Sequence, residues 1–264
     1  MKIGVFDSGL GGLVITKAFV ETMPEYDYVY YGDTKNLPYG DKSSEQVLAY
    51  TIEAIKFLIE QNCGLIIIAC NTATSIALRY LQQKFIPAYA PDVKVLGVVI
   101  PTVEEALEDN AKRIGILATN ATVKSHIYQQ ELLKINPSLE IFEIASPELV
   151  PAIENNDFES ACKFAEQYAN QFDNINSLIL GCTHYPLLKT KLRKICGEGV
   201  KIVSQDELMG KKLVDYLNRH IEIDICLSRN KELNILVSQD GSHYRDVAKS
   251  LFPDIDIKEV EKNA

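Results

Sequence analysis

Two apolar runs, each ending in a cysteine, set the strongest constraint on the fold of this chain. One is Leu65-Ile66-Ile67-Ile68-Ala69-Cys70, followed by Asn71, Thr72 and Thr74; the other is Leu178-Ile179-Leu180-Gly181-Cys182, followed by Thr183, His184 and Tyr185. Short Ile- and Leu-rich runs read as strands buried on both faces of a parallel sheet. In open α/β sheets, ligands bind beyond the carboxyl ends of the strands, where both cysteines fall. A second pair of segments repeats in step with the first. Lys2-Ile3-Gly4-Val5-Phe6-Asp7-Ser8 resembles Arg113-Ile114-Gly115-Ile116-Leu117-Ala118-Thr119, so Ile3 recurs 111 residues on as Ile114, and Cys70 recurs 112 residues on as Cys182. Any two parallel strands look alike, but a shared offset joined to a shared cysteine reads as a duplicated α/β unit. The expected fold is two pseudo-symmetric, doubly wound α/β domains with mostly parallel sheets and a site in the cleft between them. The first domain is expected over 1–97 plus 210–264 and the second over 98–209.

A length of 264 residues suits two such units, and the 47% apolar and 24% charged content is that of an ordinary globular protein. A net charge of −9 disfavours nucleic acid as a partner, because phosphate binding needs a clustered basic surface. No apolar stretch reaches the length of a membrane span, and a strand rather than a signal peptide opens the chain. A cytoplasmic protein is expected. Its six cysteines, Cys63, Cys70, Cys162, Cys182, Cys196 and Cys226, are then thiols, and with no CxxC pair and four histidines no zinc-like ligand spacing is present.

Along the chain, Asp7-Ser8-Gly9-Leu10-Gly11-Gly12 is a glycine-rich turn into a helix starting near Leu13, and its N–H groups favour an anion. It has neither the Walker ending nor GxGxxG spacing. Strands are expected at 26–31, 93–99, 114–118, 140–144, 200–203 and 233–238. Ser43 with Gln46 resembles a capping box, leading a helix with Leu48, Ile52, Ile55 and Ile59 at helical spacing. Ile100-Pro101 reads as a hinge before a helix at 102–110. Thr119, Thr122 and Ser125 lead one helix that stops before Pro137, and 146–154 reads as a loop. Phe158, Ala161, Ala165, Tyr168 and Phe172 mark the buried face of the next helix. After Met209-Gly210 a long helix is expected over 211–220, then a turn at Gln239-Asp240-Gly241 and a helix at 242–251 that returns to the first domain.

A reaction that removes a proton from one face of a carbon and returns one to the other needs two acid–base groups on opposite sides. Run backwards, the groups exchange roles, so they should be alike. A duplicated fold with one thiol per copy supplies that geometry. A free thiol titrates at about 8.5, so it needs help to ionise. Asp7, at the end of the first strand, and His184, two residues past Cys182, are candidates to orient or relay protons to the nearer cysteine. His184 is equally a capping or core histidine, and Tyr39 a loop tyrosine packing on its own domain. Asn71, Thr72 and Thr74 serve either as helix caps or as donors to a bound carboxylate. Two other functions stand beside proton transfer: a hydrolase or transferase using Cys182 with His184, and a two-lobed binding module. The first leaves Cys70 without a role.

At these motifs the chain resembles the glutamate racemases of bacterial cell-wall synthesis. The resemblance rests on Gly4-Val5-Phe6-Asp7-Ser8-Gly9-Leu10-Gly11-Gly12, Tyr31-Gly32-Asp33 with Pro38-Tyr39-Gly40, Ala69-Cys70-Asn71-Thr72-Ala73, and Leu180-Gly181-Cys182-Thr183-His184-Tyr185-Pro186-Leu187. They occur in the family's order over most of the chain; aspartate racemases share the two-cysteine plan but match these strings less well. The resemblance implies interconversion of L- and D-glutamate without pyridoxal phosphate, metal or other cofactor, supplying D-glutamate for peptidoglycan. It implies Cys70 and Cys182 as the catalytic thiols, acting on D- and L-glutamate respectively, with Asp7, His184 and Glu154 assisting. Asp7, Ser8, Tyr39, Gly40, Asn71, Thr72, Thr183 and His184 match positions that hold the amino acid. A homodimer is expected, and activation by a cell-wall precursor is not, since the sequence shows no N-terminal extension of the kind that accompanies it. Val14, Thr16, His126 and Ser204-Gln205 depart from the usual pattern.

Overall fold

The computed structural model describes residues 1–109, 111–239 and 242–260, and the backbone alone of Ser242 and His243. The first half runs β1 (Lys2–Asp7), α1 (Gly11–Thr22), β2 (Tyr28–Gly32), α2 (Ser44–Glu60), β3 (Cys63–Ile68), α3 (Asn71–Tyr80), α4 (Ile86–Tyr89), β4 (Lys94–Gly97) and α5 (Val99–Leu107). The second runs β5 (Arg113–Ala118), α6 (Asn120–Ser125), α7 (Ile127–Ile135), β6 (Glu140–Ala145), α8 (Leu149–Glu154), α9 (Phe158–Ala169), β7 (Ser177–Gly181), α10 (Lys189–Cys196) and β8 (Lys201–Val203). The chain closes with α11 (Gln205–Arg219), α12 (Ile221–Asp224), β9 (Leu233–Val237), α13 (Ser242–Leu251) and β10 (Ile257–Glu259).

The duplication is visible in the sheets. Strand order is β10-β9-β2-β1-β3-β4 in one and β6-β5-β7-β8 in the other. Superposing β1 on β5 carries β2 to β6, β3 to β7 and β4 to β8, and every pairing is parallel. The strands that precede the two cysteines, β3 and β7, are buried throughout, as their unbroken apolar runs require. One apolar core joins Ile3 and Val5 of the first sheet to Ile114, Ile116 and Ile179 of the second through α1, α5 and α11; each sheet's other face has a core of its own.

The capping box forms as read: Ser43 Oγ accepts from the Gln46 N–H, and Gln46 Oε1 from the Ser43 N–H. The buried face of α2 is rotated from the expected one, with Val47, Thr51, Ala54, Ile55 and Leu58 innermost and Leu48, Ile52 and Ile59 at its margin. β4 ends at Gly97, and α5 begins at Val99 rather than Thr102. Pro101 thus lies in the first turn of that helix, where its missing N–H has no helical partner to lose. A left-handed residue, His126 at φ 52°, splits the helix expected before Pro137 into α6 and α7. The expected loop at 146–154 contains α8, and Phe158 is exposed while Ala161, Ala165 and Ala169 face the core. Asp240 and Gly241 of the expected turn lie outside the described residues.

The largest correction is α11, which starts at Gln205 and runs straight through Gly210. Gly210 is not a break but a contact point. A Cβ there would lie 2.2 Å from Thr22 Oγ1 and 2.8 Å from the Ala18 carbonyl oxygen. The glycine lets α11 press against α1. Thr22 Oγ1 itself donates to that carbonyl at 2.7 Å, so it is not free to yield. Gly210→Ala is expected to destabilise the protein by about 1 kcal/mol, the overpacking outweighing alanine's better helix propensity. Urea unfolding of the two proteins measures it.

Candidate active site

Both cysteines sit where a parallel strand hands over to the next element. Cys70 is the N-cap of α3, and its Sγ accepts from the Ala73 N–H at 3.4 Å and lies 3.6 Å from Ser8 Oγ. Cys182 follows β7, with its Sγ 3.6 Å from His184 Nδ1. The two thiols line one cavity between the halves, together with Ser8, Tyr39, Gly40, Asn71, Thr72, Thr183 and His184. The second wall includes Thr119, Asn120, Ser146, Val150 and Pro151.

The two thiols have different surroundings. Burial pushes Cys70 up to about 12, and the nearby charge of Asp7 pushes the same way against the Ala73 N–H and Ser8. Cys70 is therefore a neutral thiol at pH 7. Next to Cys182 stands His184, whose Nε2 bonds Glu154 Oε1. Burial alone would strip the imidazole of its proton, but the Glu154 carboxylate and Cys182 together raise it well above the ordinary value. His184 thus stands between a carboxylate and the sulfur of Cys182, both of which favour its protonated form. Glu154 Oε1 also accepts from the Leu10 N–H at 3.2 Å, which ties α8 to the glycine-rich turn of the other half.

Asp7 is completely buried, and burial raises its carboxyl against the opposing pull of His184, the Gly12 and Gly9 N–H groups and Thr183. Its Oδ2 accepts from those two N–H groups at 2.9 and 3.1 Å, and Thr183 Oγ1 donates to Oδ1 at 3.2 Å. Asp7 therefore joins the turn after β1 to the turn after β7, while Ser8 is the residue in contact with Cys70. Gly11 makes this approach possible, since a Cβ there would lie 2.7 Å from the His184 nitrogen and 2.6 Å from the Thr183 carbonyl carbon.

Tyr39 packs on its own half, against Phe6 and Tyr50, and lines the cavity as well. Its hydroxyl donates to Asp33 Oδ2 at 2.7 Å, and Asp33 also accepts from Ser238 after β9. Thr72, Thr119 and Thr122 form a hydroxyl cluster, with Thr72 Oγ1 2.9 Å from Thr119 Oγ1 and 3.3 Å from Thr122 Oγ1. Thr74 turns back to the Ile68 carbonyl. Cys63, Cys162, Cys196 and Cys226 do not line the cavity. Among the described residues, no group of three or more His, Cys, Asp and Glu could hold a metal ion.

Sequence reasoning missed Thr119, though the 111-residue offset that pairs Ile3 with Ile114 also pairs Ser8 with Thr119. It missed Gln205 too, a fully buried residue behind Asn71, for which neither repeat nor composition gives a signal.

The arrangement can place an acid–base sulfur on each side of a small bound molecule. Known proteins with this architecture resemble it in sequence. Residues 12–206 match the Asp/Glu/Hydantoin racemase family. A glutamate racemase of Aquifex aeolicus is 40% identical over 221 residues, covering 82% of this chain and 84% of that protein. The crystal structure of a glutamate racemase isoform from Bacillus anthracis superposes with TM-score 0.87 at 30% identity, covering 98% of this chain and 97% of the other. That of the Francisella tularensis glutamate racemase, in complex with D-glutamate, superposes at 0.86 with 32% identity, covering 100% and 97%. The chain belongs to the Asp/Glu racemase family, on its glutamate racemase branch, and is an amino-acid racemase.

Proposed function

We propose that the protein interconverts L- and D-glutamate by a two-base reaction without pyridoxal phosphate, metal or other cofactor, with Cys70 and Cys182 on opposite faces of the Cα. The observation that carries this reading is the pair of thiols lining one cavity, each at the end of an equivalent strand of a duplicated fold. The D-glutamate complex of the Francisella relative supports the choice of substrate.

Their unequal surroundings suit the division of labour. The imidazolium of His184 stabilises negative charge on Cys182, which takes the Cα proton of L-glutamate. Cys70, a neutral thiol, delivers its proton to the opposite face. The electron pair left by the C–H bond thus forms the new C–H bond, and the proton taken by Cys182 ends opposite the one Cys70 gave up. D-glutamate reacts by the reverse path. Asp7, His184 and Glu154 assist the thiols, and Ser8, Tyr39, Gly40, Asn71, Thr72 and Thr183, with Asp7 and His184, hold the amino acid.

In this reading residues 1–97 with 210–264 form one lobe and 98–209 the other, with the change of lobe inside α11. No helix among the described residues is long and apolar enough to cross a membrane. We place the protein in the cytoplasm as a homodimer that supplies D-glutamate to peptidoglycan synthesis. The test is circular dichroism of L-glutamate incubated with purified, metal-free protein and no added pyridoxal phosphate. Decay of the signal to zero supports the proposal. Decay with aspartate only moves the substrate, and decay with neither overturns the proposal.

A further inference from the structure

Gln205 lies behind the cavity, and no role follows for it from the repeat or from the cysteine motifs. It is the first residue of α11, fully buried, and its side chain meets Asn71 at the start of α3. Its carboxamide and that of Asn71 form a closed pair: Asn71 Nδ2 donates to Gln205 Oε1 at 3.0 Å, and Gln205 Nε2 donates to Asn71 Oδ1 at 2.9 Å. Gln205 Nε2 also reaches Thr102 Oγ1 at 3.2 Å and Tyr128 Oη at 3.3 Å, and Tyr128 Oη donates to Asn71 Oδ1 at 2.6 Å.

The polarity of this pair is set from one end. The Thr102 hydroxyl spends its hydrogen on the Val98 carbonyl, at 2.7 Å, within the first turn of α5. It can offer Gln205 only lone pairs, so the NH2 of Gln205, not its oxygen, must face Thr102. The oxygen of Gln205 then faces Asn71 and must meet an N–H. The Asn71 oxygen is thereby directed to Gln205 Nε2 and the Tyr128 hydroxyl. A closed carboxamide pair uses the N–H on the same side as the carbonyl, which leaves the second N–H of Asn71 pointing away from the pair. Asn71 lines the cavity beside Cys70. Were both amides reversed, Asn71 would offer the cavity an oxygen lone pair, which repels a carboxylate.

We infer that Gln205 is a positioning residue that fixes the side chain of Asn71 as a hydrogen-bond donor to the bound amino acid, with its own orientation set by Thr102 in the segment that joins the two halves. Asn71's contact with substrate rests on the racemase reading above. The donor polarity itself belongs to the ligand-free protein.

The experiment uses Gln205→Met, which keeps side-chain length and removes the amide, and Thr102→Val, which removes only the orienting acceptor. Thr102→Ser is the conservative control. For each, kcat and KM with both glutamate enantiomers and the thermal midpoint are measured. Gln205→Met is expected to lower kcat/KM about tenfold, the effect of one hydrogen bond to a charged group, and chiefly through KM. Thr102→Val should move KM in the same direction, and Thr102→Ser should restore it. Asn71→Ala should cost far less in the Gln205→Met background than in the parent. Unchanged KM in a folded Gln205→Met, or losses that simply multiply, would overturn the assignment. If Gln205→Met does not fold, KM in Thr102→Val against Thr102→Ser decides in its place: a rise in the first alone supports the assignment, and no rise overturns it. Should the parent protein racemise no glutamate, the glutamate reading falls. The NH2 resonances of Asn71 in ligand-free 15N-labelled protein then decide alone. Two dispersed signals, protected from exchange and losing that protection in Thr102→Val, support the assignment; signals identical in the two proteins overturn it.

Discussion

Cys70→Ala and Cys182→Ala are each expected to abolish racemisation in both directions. The proposed two-base reaction needs both sulfurs, so losing either leaves a Cα with a base and no acid, or an acid and no base. General acid–base groups contribute about 10²–10⁴-fold each, so turnover should fall at least a hundredfold in either variant. Each change removes a single buried sulfur next to intact strands, and both variants should remain folded. Chiral chromatography of products, with thermal unfolding as a control, reads the result. Near-normal turnover in one variant would leave a single-base path in its place.

The second large effect is expected at Glu154. Its carboxylate and Cys182 hold the buried His184 protonated against a burial effect that would neutralise it. Glu154→Gln removes the negative charge and keeps the shape, so the imidazole loses its proton and Cys182 loses its cation. We expect kcat to fall about a hundredfold. L- and D-glutamate have equal free energies, so kcat/KM must fall equally in both directions. The two kcat values need not, and the direction in which Cys182 acts as base should suffer more. The same pair makes stability depend on pH. His184 titrates higher in the folded protein than its unfolded value of about 6.5. Its contribution is therefore complete below about pH 6.5 and is lost as pH rises through the raised value. Urea unfolding should show the stability advantage of the parent over Glu154→Gln to be full at pH 6 and smaller at pH 9.

Much of this site was legible because the chain repeats itself. The strands before Cys70 and Cys182 announce themselves as apolar runs, and the repeat puts both sulfurs at equivalent strand ends. The sequence also shows the capping box at Ser43, since that motif is local. What it hides depends on partners distant in the chain. Gly210 looks like a break in sequence and is an interior contact between two helices in the structure. His126 divides a helix through its own backbone angle, which no periodicity reveals. Asp7 reads as a helper of the nearer cysteine, yet its hydrogen bonds go to its own turn and to Thr183 in the other half. Gln205 acquires its meaning only when the fold brings Asn71, Thr102 and Tyr128 around it.

If two sulfurs serve opposite faces of one carbon, the placement of deuterium must show it. L-glutamate is turned over in heavy water, and the Cα of each enantiomer is assayed by mass spectrometry in the first few per cent of reaction. The two-thiol account predicts solvent deuterium at the Cα of essentially every D-glutamate formed, while the remaining L-glutamate is still protiated. Equal deuterium in both enantiomers from the outset, or D-glutamate that retains the original proton, would mean that one base serves both faces and would contradict it.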